Sequence, residues 1–225
     1  MRRATVGAYR YGPPVFCLVH GLGVGQAYFE PLAQLLEGAV IRPELREPQP
    51  IAELARRLGA SLPGPAVLVA NSMGCQVAAA LAADRPDLVE ALVLVGPTVD
   101  PEARSAVRHL LRLAVDGWYE PPRLTATVVR DYFVHGPSEL MRQARYALED
   151  RIEERLPRIE AATLVVRGEH DPLSSARWSG EVTALLPNAR LVTIAGGGHA
   201  VHYSHPHELV DELSRFLAET RAAPG

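Results

Sequence analysis

The sequence contains no lysine. All 23 of its basic residues are arginine, so no amine is available as a Schiff-base former, a lysine general base or a phosphate clamp. The arginines are interleaved with 26 acidic residues, for a formal charge of −3. No basic stripe exists to follow a phosphate backbone, and nucleic acid is excluded as an expected partner. Long apolar runs are also missing: stretches such as 77–83 and 91–95 fall far short of the roughly 20 residues a membrane span requires. The first residues, Met1-Arg2-Arg3-Ala4-Thr5, are followed by no apolar core or cleavage pattern of a secretory signal, so a cytoplasmic protein is expected. Cysteine is scarce. Cys17 and Cys75 both fall inside apolar segments, which argues against a disulfide framework and for two small core residues.

What the chain does have is the composition of a folded α/β domain: 225 residues, 48% hydrophobic and 22% charged. Short, continuous apolar runs at 15–19, 66–70, 91–95, 163–167 and 189–194 suit strands buried on both faces, hence a parallel sheet. Helical patterns occupy 28–37, 50–59, 73–84 and 206–220 between and after them. With a short antiparallel opening strand at 4–11, this order predicts an open, mostly parallel, doubly wound sheet. The rhythm breaks at residues 97–160, where the pattern predicts helices at 102–116, 122–133 and 138–152 and no strand. The expected organisation is a core of 1–96 and 161–225 with a helical insertion at 97–160.

The residues that can carry chemistry lie just past the strands. After 66–70 comes Asn71-Ser72-Met73-Gly74 and then an alanine-rich helix. A serine on so sharp a strand-to-helix turn needs small neighbours two residues to either side, and Ala70 and Gly74 supply them, alanine standing where glycine is usual. The N-terminus of the following helix offers backbone N–H groups where negative charge would develop. Past 15–19 stands His20-Gly21-Leu22-Gly23. Past 163–167 stands Gly168-Glu169-His170-Asp171, and past 189–194 stands Gly196-Gly197-Gly198-His199. Serine, aspartate and histidine in that chain order, each after a different strand, form the pattern expected of one hydrolase architecture.

With those landmarks, the sequence resembles the α/β-hydrolase fold family along its whole length, the 97–160 insertion standing where the family carries its cap. The resemblance implies Ser72 as nucleophile, His199 as general base, Asp171 as the acid orienting it, and the backbone N–H groups of Leu22 and Met73 as the oxyanion hole. It implies acyl transfer from a small to medium, largely apolar carboxylic ester through an acyl-enzyme, with no cofactor and no metal. A serine at the elbow argues against the carboxylate chemistry of dehalogenases and epoxide hydrolases. Thioester hydrolysis, carbon–carbon bond hydrolysis, a non-hydrolytic biosynthetic activity and a small-molecule receptor remain open on the same residues.

Several neighbours compete for these roles. Asp100, past 91–95, is a rival for Asp171, whereas Glu169 reads as a solvated loop acid. His20 reads as a brace for the oxyanion loop. His202, His205 and His207 cluster near His199, but few acids accompany them and no second ligand group stands elsewhere, which argues against a metal site. For lining the substrate pocket the candidates are Tyr28 and the aromatic residues of the insertion, Trp118, Tyr132, Phe133 and Tyr146.

Overall fold

The computed structural model describes residues 13–222. The expected opening strand at 4–11 lies outside the described residues. Six strands, β1 (Val15–Val19), β2 (Ala39–Ile41), β3 (Ala66–Asn71), β4 (Val89–Val95), β5 (Thr163–Gly168) and β6 (Ala189–Ile194), form one sheet in the order β2-β1-β3-β4-β5-β6. All five neighbouring pairs among the described residues are parallel.

The apolar runs of β1, β3, β4 and β5 follow from this placement, because each side chain of a central strand meets a covered face. Alternate residues serve opposite sides. Cys17, Val19, Leu68, Ala70, Leu92, Leu94 and Val165 pack beneath α2 (Ile51–Ser61), α3 (Met73–Asp84) and α8 (Ala176–Leu185). Phe16, Leu18, Val67, Val69, Val93, Val95, Leu164 and Val166 pack beneath α1 (Glu30–Ala33) and α10 (Pro206–Ala222). The last helix buries Leu209, Leu213, Phe216 and Leu217, a single stripe at helical spacing; each side chain so buried contributes about 1.5–3 kcal/mol. In α3 the alanines let the helix sit so close to the sheet that it is buried from Met73 to Ala82.

Between β4 and β5 run α4 (Ala106–Asp116), α5 (Pro122–His135), α6 (Pro137–Glu149) and α7 (Ile152–Arg155). The helix expected over 138–152 is divided, because Asp150 is extended (φ −71°, ψ 144°) and its carboxylate is held by Arg155 at 2.6 Å and Gln76 at 3.2 Å. The helix expected over 28–37 is reduced to a 3₁₀ turn at Gln26–Phe29 and the single turn of α1. Pro31 starts that turn but cannot donate the hydrogen bond that would extend it backwards. Three elements had no clear periodic signal: the three-residue edge strand β2, α8, whose buried face is Trp178, Ser179 and Val182, and the four-residue α9 (Val201–Ser204).

The chain goes from β1 out to β2 and returns past β1 to β3, so its winding reverses between β1 and β3. Open parallel sheets bind ligands beyond the carboxyl ends of the strands at such a point.

Candidate active site

At that switch point β3 passes directly into α3 through Ser72. The residue has φ 57° and ψ −125°, a conformation that costs a non-glycine residue about 1–3 kcal/mol and persists only where the surroundings impose it. They do so here: Ser72 donates its backbone N–H to Val95 O at 3.1 Å, and its carbonyl accepts from Cys75 N at 3.0 Å. Gly74 lies against the end of β1, where a Cβ would stand 2.8 Å from the His20 carbonyl oxygen and still nearer that of Val19. Ala70 is fully buried between Val19 and Leu94, so its methyl group occupies space at the elbow without opening the turn.

Asp171 and His199 come from the loops after β5 and β6. Asp171 Oδ1 accepts the backbone N–H groups of Leu173 at 2.8 Å and Ser174 at 2.9 Å, which leaves Oδ2 to accept from His199 Nδ1 at 2.9 Å. His199 Nε2 is buried and has no hydrogen-bond partner among the described residues. Glycines make this approach possible. Gly96 has φ +56°, and a Cβ on it would stand 2.8 Å from His199 Nδ1 and 3.0 Å from Asp171 Oδ2. Gly168 lies directly against the carbonyls of Gly197 and Gly198.

Asn71 ties the serine turn to the histidine loop. Its amide donates to Val95 O at 3.1 Å and to His199 O at 3.2 Å, and its Oδ1 accepts from the Tyr28 hydroxyl at 2.9 Å. Burial alone would lower the His199 pKa; the charge and hydrogen bond of Asp171, joined by the carboxylates of Asp116 and Glu120, outweigh it and raise the imidazole to about 9. A histidine so oriented, with Nδ1–H committed to a carboxylate, can take a proton at Nε2 and hold the resulting charge.

Leu22 follows β1 in the loop whose Gly21 packs 3.1 Å, measured from a Cβ built on it, from Ser72 Cβ. Met73 is the first residue of α3, so its N–H has no intrahelical acceptor. The rival acid is engaged elsewhere: Asp100 Oδ2 pairs with Arg177 at 2.5 Å and its Oδ1 accepts Glu102 N at 3.0 Å. His20 holds the loop, with Nδ1 donating to Gly21 O at 2.9 Å and Nε2 accepting from Leu45 N at 3.1 Å. Glu169 is a half-exposed loop acid that accepts Gly196 N. Cys17 and Cys75 are free and buried; burial pushes the Cys17 thiol up to about 12 and raises that of Cys75 as well.

The aromatic candidates divide. Tyr28 is buried under the serine turn with its hydroxyl spent on Asn71. Tyr132 packs against the loop after β1, its ring 3.1 Å from a Cβ built on Gly23, and Tyr146 is half-buried on α6. Trp118 and Phe133 are 88% and 82% exposed. Both rings therefore lie largely in solvent rather than packed into the core.

The structure also brings in residues that sequence reasoning missed. Asp116 Oδ1 accepts the backbone N–H of His199 at 2.8 Å, and Glu120 Oε1 accepts that of Ala200 at 2.6 Å. Asp131 Oδ2 accepts Gly25 N at 2.9 Å in the loop after β1. Gln143 accepts Gln49 N at 2.8 Å and donates to Met73 Sδ at 3.3 Å. All four are buried polar residues of the 97–160 segment. No local pattern distinguishes them from ordinary helix-end and surface polar residues, so no sequence signal would have found them.

The model of the "Alpha/beta hydrolase family" matches residues 18–212. A segment of 68 residues is 40% identical to the polyketide synthase ThaQ of Burkholderia thailandensis, covering 30% of this chain and 3% of that protein. A segment of 63 residues is 38% identical to a pimeloyl-(acyl-carrier protein) methyl ester esterase of Xanthomonas oryzae pv. oryzae, covering 28% of this chain and 25% of the esterase. The chain thus spans at most a quarter of these two relatives. The crystal structure of an enol-lactonase from Burkholderia xenovorans superposes with a TM-score of 0.71 at 21% identity, over 93% of this chain and 94% of that one, a likeness of fold.

Proposed function

The chain belongs to the alpha/beta hydrolase family, and on that premise we propose that it is a serine hydrolase cleaving a small to medium, largely apolar carboxylic ester. The observation that carries the reading is the His199–Asp171 pair at 2.9 Å, with Nε2 of the imidazole buried and without a partner among the described residues, tied through Asn71 to the strained turn at Ser72. Such a turn is retained at a cost in folding free energy, which makes a purely structural role for it uneconomical.

In the proposed mechanism His199 Nε2 takes the proton of Ser72 as Oγ bonds to the acyl carbon. The negative charge moves to the carbonyl oxygen, where the N–H groups of Leu22 and Met73 receive it. Collapse of that intermediate breaks the ester bond, and the imidazolium returns the proton to the departing alkoxide. Water then repeats the sequence on the acyl-enzyme and releases the acid. Asp171 keeps Nδ1–H turned away from the reacting atoms and balances the imidazolium. In this reading Tyr132, whose ring lies beside Gly23, and Tyr146 belong to the wall that covers the acyl chain.

Treatment of the pure protein with a fluorophosphonate tests the reading. The expected result is one stable adduct on Ser72, seen as a mass increase, that is absent in Ser72→Ala. A wild-type protein that takes up no label would refute it. Parallel kcat/KM values for p-nitrophenyl esters of graded chain length and for acyl thioesters then define the leaving group.

A further inference from the structure

We infer that Asp116 and Glu120, both carried by the segment between β4 and β5, are positioning residues for His199: they hold the backbone of its loop and set two further negative charges beside the imidazole. The inference rests on the reading of His199 as general base and goes beyond it, because neither residue touches the reacting atoms.

The geometry is specific. Asp116 ends α4, and Glu120 stands in the turn before α5. Their carboxylates take the N–H groups of two successive residues, His199 and Ala200. The approach is close: a Cβ on Gly198 would stand 2.6 Å from Glu120 Oε1 and 3.0 Å from Asp116 Oδ1. The close approach of the two carboxylates favours glycine at position 198. Both carboxylates are buried, Asp116 at 7% and Glu120 at 9% exposure, and the Ser204 side chain lies beside Glu120. A neutral side chain would satisfy two backbone donors without the cost of desolvating two carboxylates. What the neutral side chain would not provide is charge next to a histidine that becomes cationic during turnover.

The electrostatics agree. Burial raises Asp116 above the usual carboxylate range and Glu120 to about 7, while their charges help raise His199. The groups that face this cluster are Asp171 from the loop after β5, His109 from α4, His202 from α9, and Tyr28, which feels the charges of Glu120 and Asp116. His202 is kept neutral, burial pushing it down to about 3, so it contributes no opposing charge near neutral pH. The alternative is that the two carboxylates only cap the short helix α9, for which an acid at the N-terminus is an ordinary stabiliser.

Asp116→Asn and Glu120→Gln separate the two roles, since each keeps an oxygen for the backbone N–H and removes the charge. The measurement is the rate of fluorophosphonate labelling at Ser72, and kcat/KM for p-nitrophenyl butyrate, each from pH 5 to 10. A general base must be unprotonated, so wild-type rates rise through the His199 pKa. Removing a nearby negative charge lowers that pKa and moves the midpoint of the rise down by about one unit in each variant. Plateau rates should fall only several-fold, and thermal unfolding checks that both variants are folded. Labelling at Ser72 with the same midpoint in both variants would overturn the inference and leave the hydrolase reading intact. No labelling of the wild type overturns the hydrolase reading instead; in that case imidazole NMR titration of His199 reads the charges directly, and an unmoved value overturns the inference as well.

Discussion

Replacing Asp171 by asparagine removes one charge and almost no volume, and the hydrogen bonds around it dictate what must follow. Oδ1 accepts two backbone N–H groups, from Leu173 and Ser174. An asparagine side chain therefore keeps its oxygen there and turns its NH₂ toward His199, where Oδ2 now accepts from Nδ1. An NH₂ donor forces Nδ1 to become the acceptor, so the proton of the neutral imidazole moves to Nε2. A histidine in that tautomer cannot take a proton from Ser72. The charge is lost too. His199 stands at about 9 against an ordinary 6.5, about 3 kcal/mol in favour of the imidazolium, and Asp171 is foremost among the three carboxylates behind that rise. Tautomer and charge together place the expected fall in kcat/KM at roughly 10³–10⁴, with KM little changed. Steady-state kinetics on a short p-nitrophenyl ester, beside an unfolding curve, measures it. Asp100→Asn is the control: Asp100 is bound to Arg177, so activity should stay within a few-fold of wild type. An Asp171→Asn enzyme within tenfold of wild type, or an equal loss in Asp100→Asn, would refute the reasoning.

Gly96→Ala forces a side chain into φ +56° and sets its Cβ 2.8 Å from the His199 ring. We expect a drop in Tm of roughly 5 °C, from a cost of about 2 kcal/mol in a chain of this size, and a fall in kcat of about 100-fold as the imidazole is displaced; an unchanged kcat would mean that the histidine is not held as described. Trp118→Ser and Phe133→Ser act on residues that are 88% and 82% exposed, so Tm should shift by less than about 2 °C and kcat/KM on short esters should stay within about twofold. A tenfold rise in KM for either variant would show that these aromatics bind substrate after all.

The sheet was legible in the sequence because a central parallel strand is covered on both faces, and this writes itself as an unbroken apolar run: 15–19, 66–70, 91–95, 163–167 and 189–194 all reappear as strands within two residues of their ends. The turn at Ser72 was legible for a similar reason. Its backbone needs small neighbours, and Ala70 and Gly74 record that need in residue type. By contrast, α1 was overestimated and α8 overlooked, since a short helix with a serine in its buried face carries little periodic signal. Residues whose work is done across the fold left no local trace. Whether Asp100 or Asp171 faces His199 is decided across the fold, where Arg177 of α8 takes Asp100 and the loop after β5 brings Asp171 to the imidazole. The exposure of Trp118 and Phe133 depends on how the inserted helices sit. The acids at 116, 120 and 131 acquire meaning only when folding lays them against N–H groups 83, 80 and 106 residues away in the chain. What the sequence by itself determined was everything governed by local backbone demands and burial periodicity: the five longer strands, the strained serine turn and the order of the polar residues after each of them. The tertiary structure alone decided the partners of the buried charges, because a carboxylate's role is set by what lies within hydrogen-bond distance, and no spacing along the chain encodes that distance.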